Sequence, residues 1–498
     1  MVLNNEEKIV NMEEPKAFEY RSLKGFWRWV SILLTLTFVY VVLDLIFDFR
    51  FFFGIVPFEG IIYYFFVAVT LPLVFLYYPI KTRTEKELKN KLFVIDKFIF
   101  LLLFGIGIYF TTRGYYVVER GWGVVAPMYA TILAMILWLF IIEAVRRTAG
   151  IGLAIVVTVV SSFPLFADKL PGFLRGNSFS FVRLVRYHIF TFDSAIGMLL
   201  VVYINIIIAF IVFSVVAVRV GGGQFFLKLA LSIIGKYRGG TAKVAVLASA
   251  FFGSINGQPI INVITTGSVT IPAMKKSGYD PVYAASVETC ASTGGTFTPP
   301  VMGATAFVMA SFLGVPYSSV ALAAAVPAIL YYFTIYVQID AYAAKNRIIG
   351  LSRDEIPSFY ETVRDGWFYL VASGILIYFL FFLRQIAEGA IISAASLLLL
   401  SQIQKRRRLT FEDFLQLIEE IGKTCAMLLT IILGVGMLLG SFSVTGLALS
   451  FARETMAATG GNITLMLIAS AVTSYILGMG MSAIACYIFL AIITAPGL

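Results

Sequence analysis

The chain has 498 residues, of which 59% are hydrophobic and 13% are charged, and its formal net charge is +10 at pH 7. Apolar runs of membrane-spanning length recur along almost the whole chain, so the sequence predicts an all-α polytopic membrane protein without room for a soluble catalytic domain. Lysine and arginine collect in short loops beside these runs, which indicates membrane topology and argues against nucleic-acid binding. The chain has no P-loop motif and its three cysteines lack metal-ligand spacing, so neither a built-in ATPase nor a zinc site is expected.

The first 146 residues are predicted to form an N-terminal tail and four membrane helices. These spans lie at about 27–46, 60–80, 93–111 and 123–143. Basic residues precede the first span, and the basic stretches "KTRTEKELKNK" and "EAVRRTAG" follow the second and the fourth. Because cytoplasmic loops carry an excess of lysine and arginine, the N-terminus and both stretches are predicted to be cytoplasmic.

Two further spans are predicted at about 151–167 and 194–217, with a polar segment between them. That segment, "FLRGNSFSFVRLVRYHIF", has the pattern of an amphipathic helix that lies at the membrane interface. Its arginines lie on the side opposite to the cytoplasmic loops and depart from the charge rule. His188, the only histidine of the chain, is on this helix and is expected to be exposed at the interface rather than to relay protons.

The stretch "FFGSINGQPIINVITTGSVTIPAMKK", which starts at Phe251, places polar residues, glycine and proline inside an apolar region. Basic residues flank it on both sides, so both of its ends are predicted to be cytoplasmic. Its roughly 30 apolar residues are too few for two full spans but enough for a re-entrant hairpin of two half-length helices, predicted at about 244–273. "SINGQP" would form the tip, where irregular backbone is tolerated if it lines a cavity for an ion or ligand. Alternatively, Asn256 and Gln258 only form hydrogen bonds between helices.

The next predicted span, at about 281–313, contains "ASTGGTFTPPVMG". Two glycines followed by Pro299 and Pro300 should break a helix, because proline removes a hydrogen-bond donor and clashes with the preceding turn. Unwound carbonyls and hydroxyls suit sodium, and half-helix N-termini suit an anion. The hydroxyls of Thr293, Thr296 and Thr298 lie at the break, where they either line an ion site or bond back to their own helix.

The rest of the chain is predicted to contain an inverted repeat of this unit. Further spans are expected at about 317–341, 367–383, 387–402 and 424–446. "GGTAKVAVLASA" from Gly239 and "GGNITLMLIASA" from Gly460 share their glycine pair and their Ala-Ser-Ala, and the second copy leads into a hairpin predicted at about 463–498 that enters from outside. Two similar units of opposite orientation are typical of secondary transporters. The offset of 221 residues places a second broken helix near 515, beyond residue 498, so either the second repeat is degenerate or the sequence is truncated. We expect truncation, which would leave the second repeat incomplete.

The block "GSINGQPIINVITTGSVTIPAMKKSGYDPVYAASVETCASTGGTFTPPVMGATAFVMASFLGVPY" resembles the fused membrane permeases of tripartite ATP-independent periplasmic (TRAP) transporters that work with TAXI-type binding proteins. The resemblance implies an elevator-type transporter in the prokaryotic inner membrane. It would be driven by sodium, or in some members by protons, and would receive an organic acid from a periplasmic binding protein. The expected division is a small-subunit-like region at 1–146, a first repeat of the large subunit at 147–360 and a second inverted repeat at 361–498.

Carried over by motif, the resemblance also implies site residues, with sodium as coupling ion and no cofactor. The expected sodium residues are Ser254, Asn256, Gly257, Thr293, Gly294 and Gly295. The expected substrate-binding residues are Asn256, Gln258, Thr296, Thr298, Pro299, Gly480 and Ser482. The last two lie in "GMGMSA" at the second hairpin tip, where Ser482 replaces the proline that the family commonly has.

Glu288 is an ionisable residue inside a predicted apolar span, where charge is expensive and usually faces a polar interior. It is expected to carry a coupled proton, to contact an ion-site helix end, or to accept structural hydrogen bonds. Two rival functions remain. An ion channel would use the re-entrant segment as a selectivity filter, although two oppositely oriented hairpins argue against this. An intramembrane enzyme would need a constellation of catalytic groups that Glu288 alone does not supply, so no enzyme is predicted.

Overall fold

The computed structural model describes residues 20–49, 59–80, 86–404, 408–460, 462–478 and 483–493. Within these ranges the chain folds into α-helices with short 3-10 and π-helical turns and forms no β-strand. Eight helices of the described residues are long and apolar enough to cross a membrane. The predicted class, an all-α polytopic membrane protein, is therefore confirmed.

The helices follow the predicted spans closely. Helices α1 to α7 are Phe26–Phe47, Glu59–Tyr77, Lys86–Glu119, Met128–Ala149, Ile151–Ser162, Phe181–Phe190 and Met198–Arg219. Helices α8 to α15 are Gly222–Ile234, Gly240–Asn256, Pro259–Lys276, Pro281–Gly294, Ala304–Leu313, Tyr317–Lys345, Phe359–Tyr378 and Ile386–Ser401. Helices α16 to α19 are Phe411–Thr445, Leu447–Ala458, Ile463–Gly478 and Ala483–Ile493. The fifth helix is shorter than its predicted span because Pro164 lies in a 3-10 turn that follows it.

The chain divides into two compact units. We call residues 209–417 the hairpin unit, and residues 20–208 together with 418–493 the N-terminal unit. The boundaries fall inside α7 and α16, so each of these helices contributes to both units. The predicted division at 146 and 360 follows the sequence repeats rather than compactness, and it remains a prediction.

Helix α2 is the centre of the N-terminal unit. Nearly all of its residues are buried, and it packs against α1, α3 and α4. Helix α3 approaches it closely at Gly114, where an added Cβ would lie 2.8 Å from the carbonyl carbon of Gly60. Small residues of this kind let membrane helices pack at short range, so glycine contacts fix α3 against the central helix.

A buried ion-pair network joins the helices of the same unit. Asp96 on α3 is fully buried, and its carboxylate accepts from Arg147 at 2.7 Å and from Arg21 at 2.9 Å. Arg147 also donates to Glu143 at 2.8 Å and to the Tyr78 carbonyl at 3.2 Å. The buried Arg147 and the half-buried Arg21 thus each have a carboxylate partner that compensates for removal from water.

The structure corrects the prediction for His188. Its side chain is fully buried instead of exposed, with Nδ1 2.7 Å from Ser194 Oγ and Nε2 2.9 Å from the Ser161 carbonyl oxygen. Helix α6 packs on protein, and Arg186 donates to Thr131 Oγ1 and to the Ala126 carbonyl at 2.8 Å each. An amphipathic pattern predicts that one face of the helix is buried, but it does not distinguish burial in the membrane surface from burial against neighbouring helices.

The hairpin unit is built around α9, α10, α11 and α13. Its core consists of buried apolar side chains from these helices and from the segments that follow α10 and α13: Ala242, Ala245, Val246, Met274, Tyr279, Ala284, Val287, Ala291, Ile339, Ala343 and Ile348. At one edge the rings of Tyr283 and Tyr342 stack with centroids 3.7 Å apart. Near the start of α9, Lys243 is buried and donates to Asp340 of α13 at 2.6 Å. This packing positions the hairpin against the broken helix.

Candidate functional site

The predicted first hairpin consists of α9 and α10. They have 17 and 18 residues, longer than the predicted half-length helices because both continue into the basic flanks. Helix α9 ends at Gly257, which has a left-handed φ of 64° and donates its N–H to the Gly253 carbonyl at 2.7 Å. Gln258 is extended, and Pro259 begins α10, where its missing N–H costs no helical bond. The motif "SINGQP" thus spans the end of α9, a two-residue turn and the start of α10, and the re-entrant character of this hairpin stays a prediction.

The predicted broken helix consists of α11 and α12, with 14 and 10 residues. Helix α11 ends at Gly294 and a 3-10 turn follows at Gly295–Phe297. Non-helical backbone containing both prolines then leads to α12, and the Gly303 N–H bonds the Thr296 carbonyl at 2.8 Å. The break occurs where the glycine and proline pairs predicted it.

Hairpin tip and break touch through their backbones. The Val301 N–H donates to the Ser254 carbonyl at 3.0 Å. A Cβ added to Gly253 would lie 2.8 Å from the Cα of Gly295, and one added to Gly257 would overlap the Met302 carbonyl oxygen. Only glycine permits this approach, because any side chain would have to displace backbone atoms. The two irregular segments therefore form one continuous site, which we call the tip–break junction (residues 253–258 and 294–303).

Asn256 is the most informative side chain of this junction. It is only 5% exposed, and its Oδ1 accepts from the Gln258 N–H at 2.5 Å. Its Nδ2, in contrast, is buried and has no hydrogen-bond partner among the described residues. A buried donor without a partner costs roughly 1–3 kcal/mol, so the Asn256 amide needs an acceptor such as a ligand oxygen or a water.

The threonines at the break donate to backbone carbonyls of the same segment. Thr293, Thr296 and Thr298 bond the carbonyls of residues 289, 293 and 294 at 2.8, 2.9 and 2.6 Å. This geometry corresponds to the back-bonding alternative, although a hydroxyl oxygen that donates keeps its lone pairs for a cation. Thr293 is exposed, whereas the other two are half-buried. Their assignment to the sodium or substrate site stays a prediction.

The predicted sites divide between the described and undescribed residues. Ser254, Asn256 and Gly257 lie together at the tip, and Gly294 and Gly295 lie at the break beside them. Gln258 and Pro299 are half-buried within the same junction. Gly480 and Ser482, predicted at the second hairpin tip, lie outside the described residues between α18 and α19.

Glu288 lies next to the junction on α11 and is fully buried. Four hydroxyls donate to its carboxylate: Thr266 and Thr270 at 2.5 Å, Ser249 at 2.8 Å and Ser292 at 3.2 Å. We call these four residues the hydroxyl pocket. They come from α9, α10 and α11, and the sequence analysis did not predict them. The sequence pattern that could have identified them is helical spacing, because Thr266 and Thr270 are four residues apart, as are Glu288 and Ser292, and such pairs lie on one face of a helix.

The ligating groups available near the tip–break junction are amide, hydroxyl and carbonyl oxygens. Among the residues that the structure describes, no three His, Cys, Asp or Glu side chains gather in a way that could hold a metal ion. Neutral oxygens suit a weakly bound alkali cation better than a transition metal, which prefers imidazole or thiolate. The junction can thus bind a hard monovalent cation, an anion at helix N-termini, or both.

Comparison with known proteins identifies the family. Residues 136–498 match the family model described as "Tripartite ATP-independent periplasmic transporter, DctM component". Three relatives carry names from the same system. The C4-dicarboxylate TRAP transporter large permease protein DctM of Pseudomonas aeruginosa is 26% identical over 176 residues, 35% of this chain and 41% of that protein. Its counterpart in Vibrio cholerae is 31% identical over 99 residues, 20% and 22% of the two chains.

The third relative is the isethionate TRAP transporter permease protein DctMQ of Oleidesulfovibrio alaskensis, which is 27% identical over 163 residues, 32% of this chain and 22% of that protein. The chain spans no more than about half the length of the curated relatives it matches. The family model, however, covers the greater part of the chain, including both predicted hairpins. This chain therefore belongs to the family of DctM components, the large permeases of tripartite ATP-independent periplasmic transporters.

Proposed function

We propose that this protein imports a small organic acid across the prokaryotic inner membrane, coupled to a sodium gradient and supplied by a periplasmic TAXI-type binding protein. The family is one of transporter permeases and not of enzymes. Two relatives are named for C4-dicarboxylate and for isethionate, which are both small organic anions. The substrate class proposed for this chain follows from those names and from the anion-binding character of half-helix N-termini.

The observation that carries the proposal is the unpartnered Asn256 amide in the tip–break junction. A donor left without a bond inside a membrane protein needs an acceptor, and an organic acid supplies carboxylate or sulfonate oxygens. Carbonyl, amide and hydroxyl oxygens of the same junction suit sodium. Bound sodium would offset the charge of the anion, so the pair crosses the membrane at a lower cost than the anion alone.

The N-terminal region supports a fused permease. The match to the large permease begins at residue 136, and α1, α2 and α3 precede it. The DctMQ name of one relative joins two subunit letters in a single chain. We propose that residues 1–146 take the place of the small membrane subunit, that the N-terminus is cytoplasmic, and that the hairpins move in an elevator-type cycle.

The test is uptake into proteoliposomes that contain the full chain, with a TAXI-type binding protein, a panel of labelled organic acids and an inward sodium gradient. We expect concentrative uptake that requires both the gradient and the binding protein. Asn256→Ala removes one hydrogen bond to the ligand and should reduce uptake at least about tenfold, which corresponds to about 1.4 kcal/mol.

The matched control is Asn346→Ala, because Asn346 is exposed at the end of α13 and bonds only the Tyr342 carbonyl, at 2.9 Å. This variant should transport like the wild type. Ion flux that needs neither binding protein nor organic acid would favour the channel instead. Equal losses in both variants would remove Asn256 from the site.

A further inference from the structure

Glu288 is a fully buried carboxyl group whose hydrogen-bond partners, among the described residues, are hydroxyls. Each oxygen is used: Oε1 accepts from Ser249, Thr266 and Ser292, and Oε2 accepts from Thr270. None of the ion pairs found within the described residues includes it. A carboxylate held away from water without a counter-charge is costly, and a proton is the simplest way to neutralise it.

The helices packed against α11 bring little other charge to this group. On α9 the charged residue is Lys243, which is paired with Asp340 of α13, and on α10 they are Lys275 and Lys276 in the last turn. On α13, Tyr332 interacts with Glu288 electrostatically and donates to the Ala291 carbonyl at 3.0 Å. The other titratable residues of α11 and α13 are Tyr283, Cys290, Tyr317, Tyr331, Tyr336, Tyr342 and Lys345. Among the described residues of these helices, no cationic side chain is paired with Glu288, so we infer that a mobile cation neutralises its charge.

The hydroxyl pocket suits both protonation states of the carboxyl group. A hydroxyl donates one hydrogen bond and accepts others, so it can reverse its role by rotating one O–H bond. With the carboxylate charged, all four hydroxyls donate. When Oε2 gains a proton, Thr270 can accept from it by rotating its own O–H bond away. Thr266 also has an alternative acceptor, because its single proton can turn from Glu288 Oε1 to the Asn262 carbonyl, 2.8 Å away.

We propose that Glu288 is a proton-binding site: its carboxylate takes up a proton on one side of the membrane and releases it on the other, so that a proton accompanies the organic acid. At uptake an O–H bond of hydronium breaks and one forms on the carboxyl group, which leaves water; at release the carboxyl O–H bond breaks and the proton returns to a water molecule, so nothing is oxidised or reduced. The inference rests on the proposed transport function. It adds to that function a second coupling cation, held a short distance from the tip–break junction.

Infrared difference spectroscopy of the full chain in liposomes tests proton binding without requiring transport. The probe is the proton itself: the buffer is cycled between acid and alkaline pH, and the C=O stretching band of a protonated carboxyl is recorded. We expect a band in the wild type that Glu288→Gln loses. Glu361→Gln, which changes an exposed residue in the first turn of α14, should keep it. Identical spectra for the wild type and Glu288→Gln would overturn the proposal.

Thr270→Val provides a second variant that leaves the carboxyl group in place. Removing a donor to Oε2 destabilises the anion, so the midpoint of the band should move to higher pH. This shift decides the matter if Glu288→Gln fails to fold. A midpoint that does not move would mean that the hydroxyl pocket does not tune the site, which contradicts the proposal.

Proton movement is then measured with pyranine trapped inside the proteoliposomes of the uptake assay. The wild type should acidify the lumen as the organic acid enters, and Glu288→Gln should lose this signal. Acid uptake by the wild type without lumenal acidification would overturn proton coupling and leave sodium-driven transport standing. If no acid is taken up at all, the proposed function fails, and the infrared spectra alone decide whether Glu288 binds a proton.

Discussion

Asp96 and Glu288 are both fully buried carboxyl groups on helices, yet their surroundings differ completely. Asp96, in the N-terminal unit, accepts from two arginines, Arg21 and Arg147. Glu288, in the hairpin unit, accepts from four hydroxyls. Guanidinium groups keep their charge under all ordinary conditions, whereas hydroxyls are neutral and can either donate or accept a hydrogen bond. The difference separates a carboxylate held by permanent positive charges from one whose hydrogen-bond partners are neutral.

The carboxylate of Asp96 therefore has a structural role. Its partners hold segments that are distant in sequence, since Arg21 precedes α1, Asp96 is on α3 and Arg147 is on α4. A buried pair of this kind adds little net stability compared with apolar packing, but breaking it is expensive because it leaves charge unpaired. Glu288, in contrast, has no ion pair among the described residues that would have to be broken when its charge changes.

The largest expected effect is that of Asp96→Asn. The change leaves the buried Arg147 and the half-buried Arg21 without their shared carboxylate. We expect the free energy of unfolding to fall by roughly 3 kcal/mol, the lower end of the range for broken buried pairs, because Glu143 still pairs with Arg147. Denaturant unfolding in detergent micelles measures this loss. If Asp96→Asn lowers the free energy of unfolding by less than Thr270→Val does, the Asp96 ion pairs contribute little, and the proposed difference between Asp96 and Glu288 is wrong.

An intermediate effect is expected for Thr270→Val, which preserves side-chain shape. Among the described residues, Thr270 is the one hydroxyl donor to Oε2 of Glu288, and a hydrogen bond to a charged group contributes about 2 kcal/mol. Thr289→Val is the matched control, because Thr289 is exposed on α11 and bonds only its own helix. The same unfolding assay compares the two variants at alkaline pH, where the proposal expects Glu288 to be charged. Equal stabilities would mean that the carboxyl group is protonated even there.

The smallest expected effect is that of Glu288→Gln. The amide oxygen still accepts from the hydroxyl pocket and its NH2 donates to a hydroxyl, so we expect the free energy of unfolding to change by less than about 1 kcal/mol. The comparison with Asp96→Asn is direct, since both variants exchange a buried carboxylate for an amide. A loss as large as that of Asp96→Asn would mean that the charge of Glu288 is structural.

Sequence reasoning predicted most of the fold. Hydrophobic length located the spans, and "SINGQP" and "GGTFTPP" located the turn of the hairpin and the break, because glycine and proline act through local backbone geometry. The prediction that His188 is exposed was wrong, because helical periodicity does not reveal whether lipid or another helix covers an apolar face. The division of the chain into repeats stays a prediction.

The candidate site was predicted only in part. Asn256 was recognised as a tip residue, but its unpartnered Nδ2 depends on three-dimensional packing that spacing does not encode. The hydroxyl pocket was missed for a similar reason. Serine and threonine are common in membrane helices as packing residues, and Ser249 and Glu288 become neighbours only when α9 packs against α11.

The glycine contact at the tip–break junction restricts how this protein can evolve. Gly253 and Gly295 meet backbone to backbone, so a side chain acquired at either position requires the other segment to shift. Gly257 is restricted twice, by its left-handed φ and by the carbonyl of Met302. Single substitutions at these positions meet a barrier that no compensating side chain relieves. Changes of substrate preference should therefore accumulate in residues around the junction, while these three glycines stay fixed.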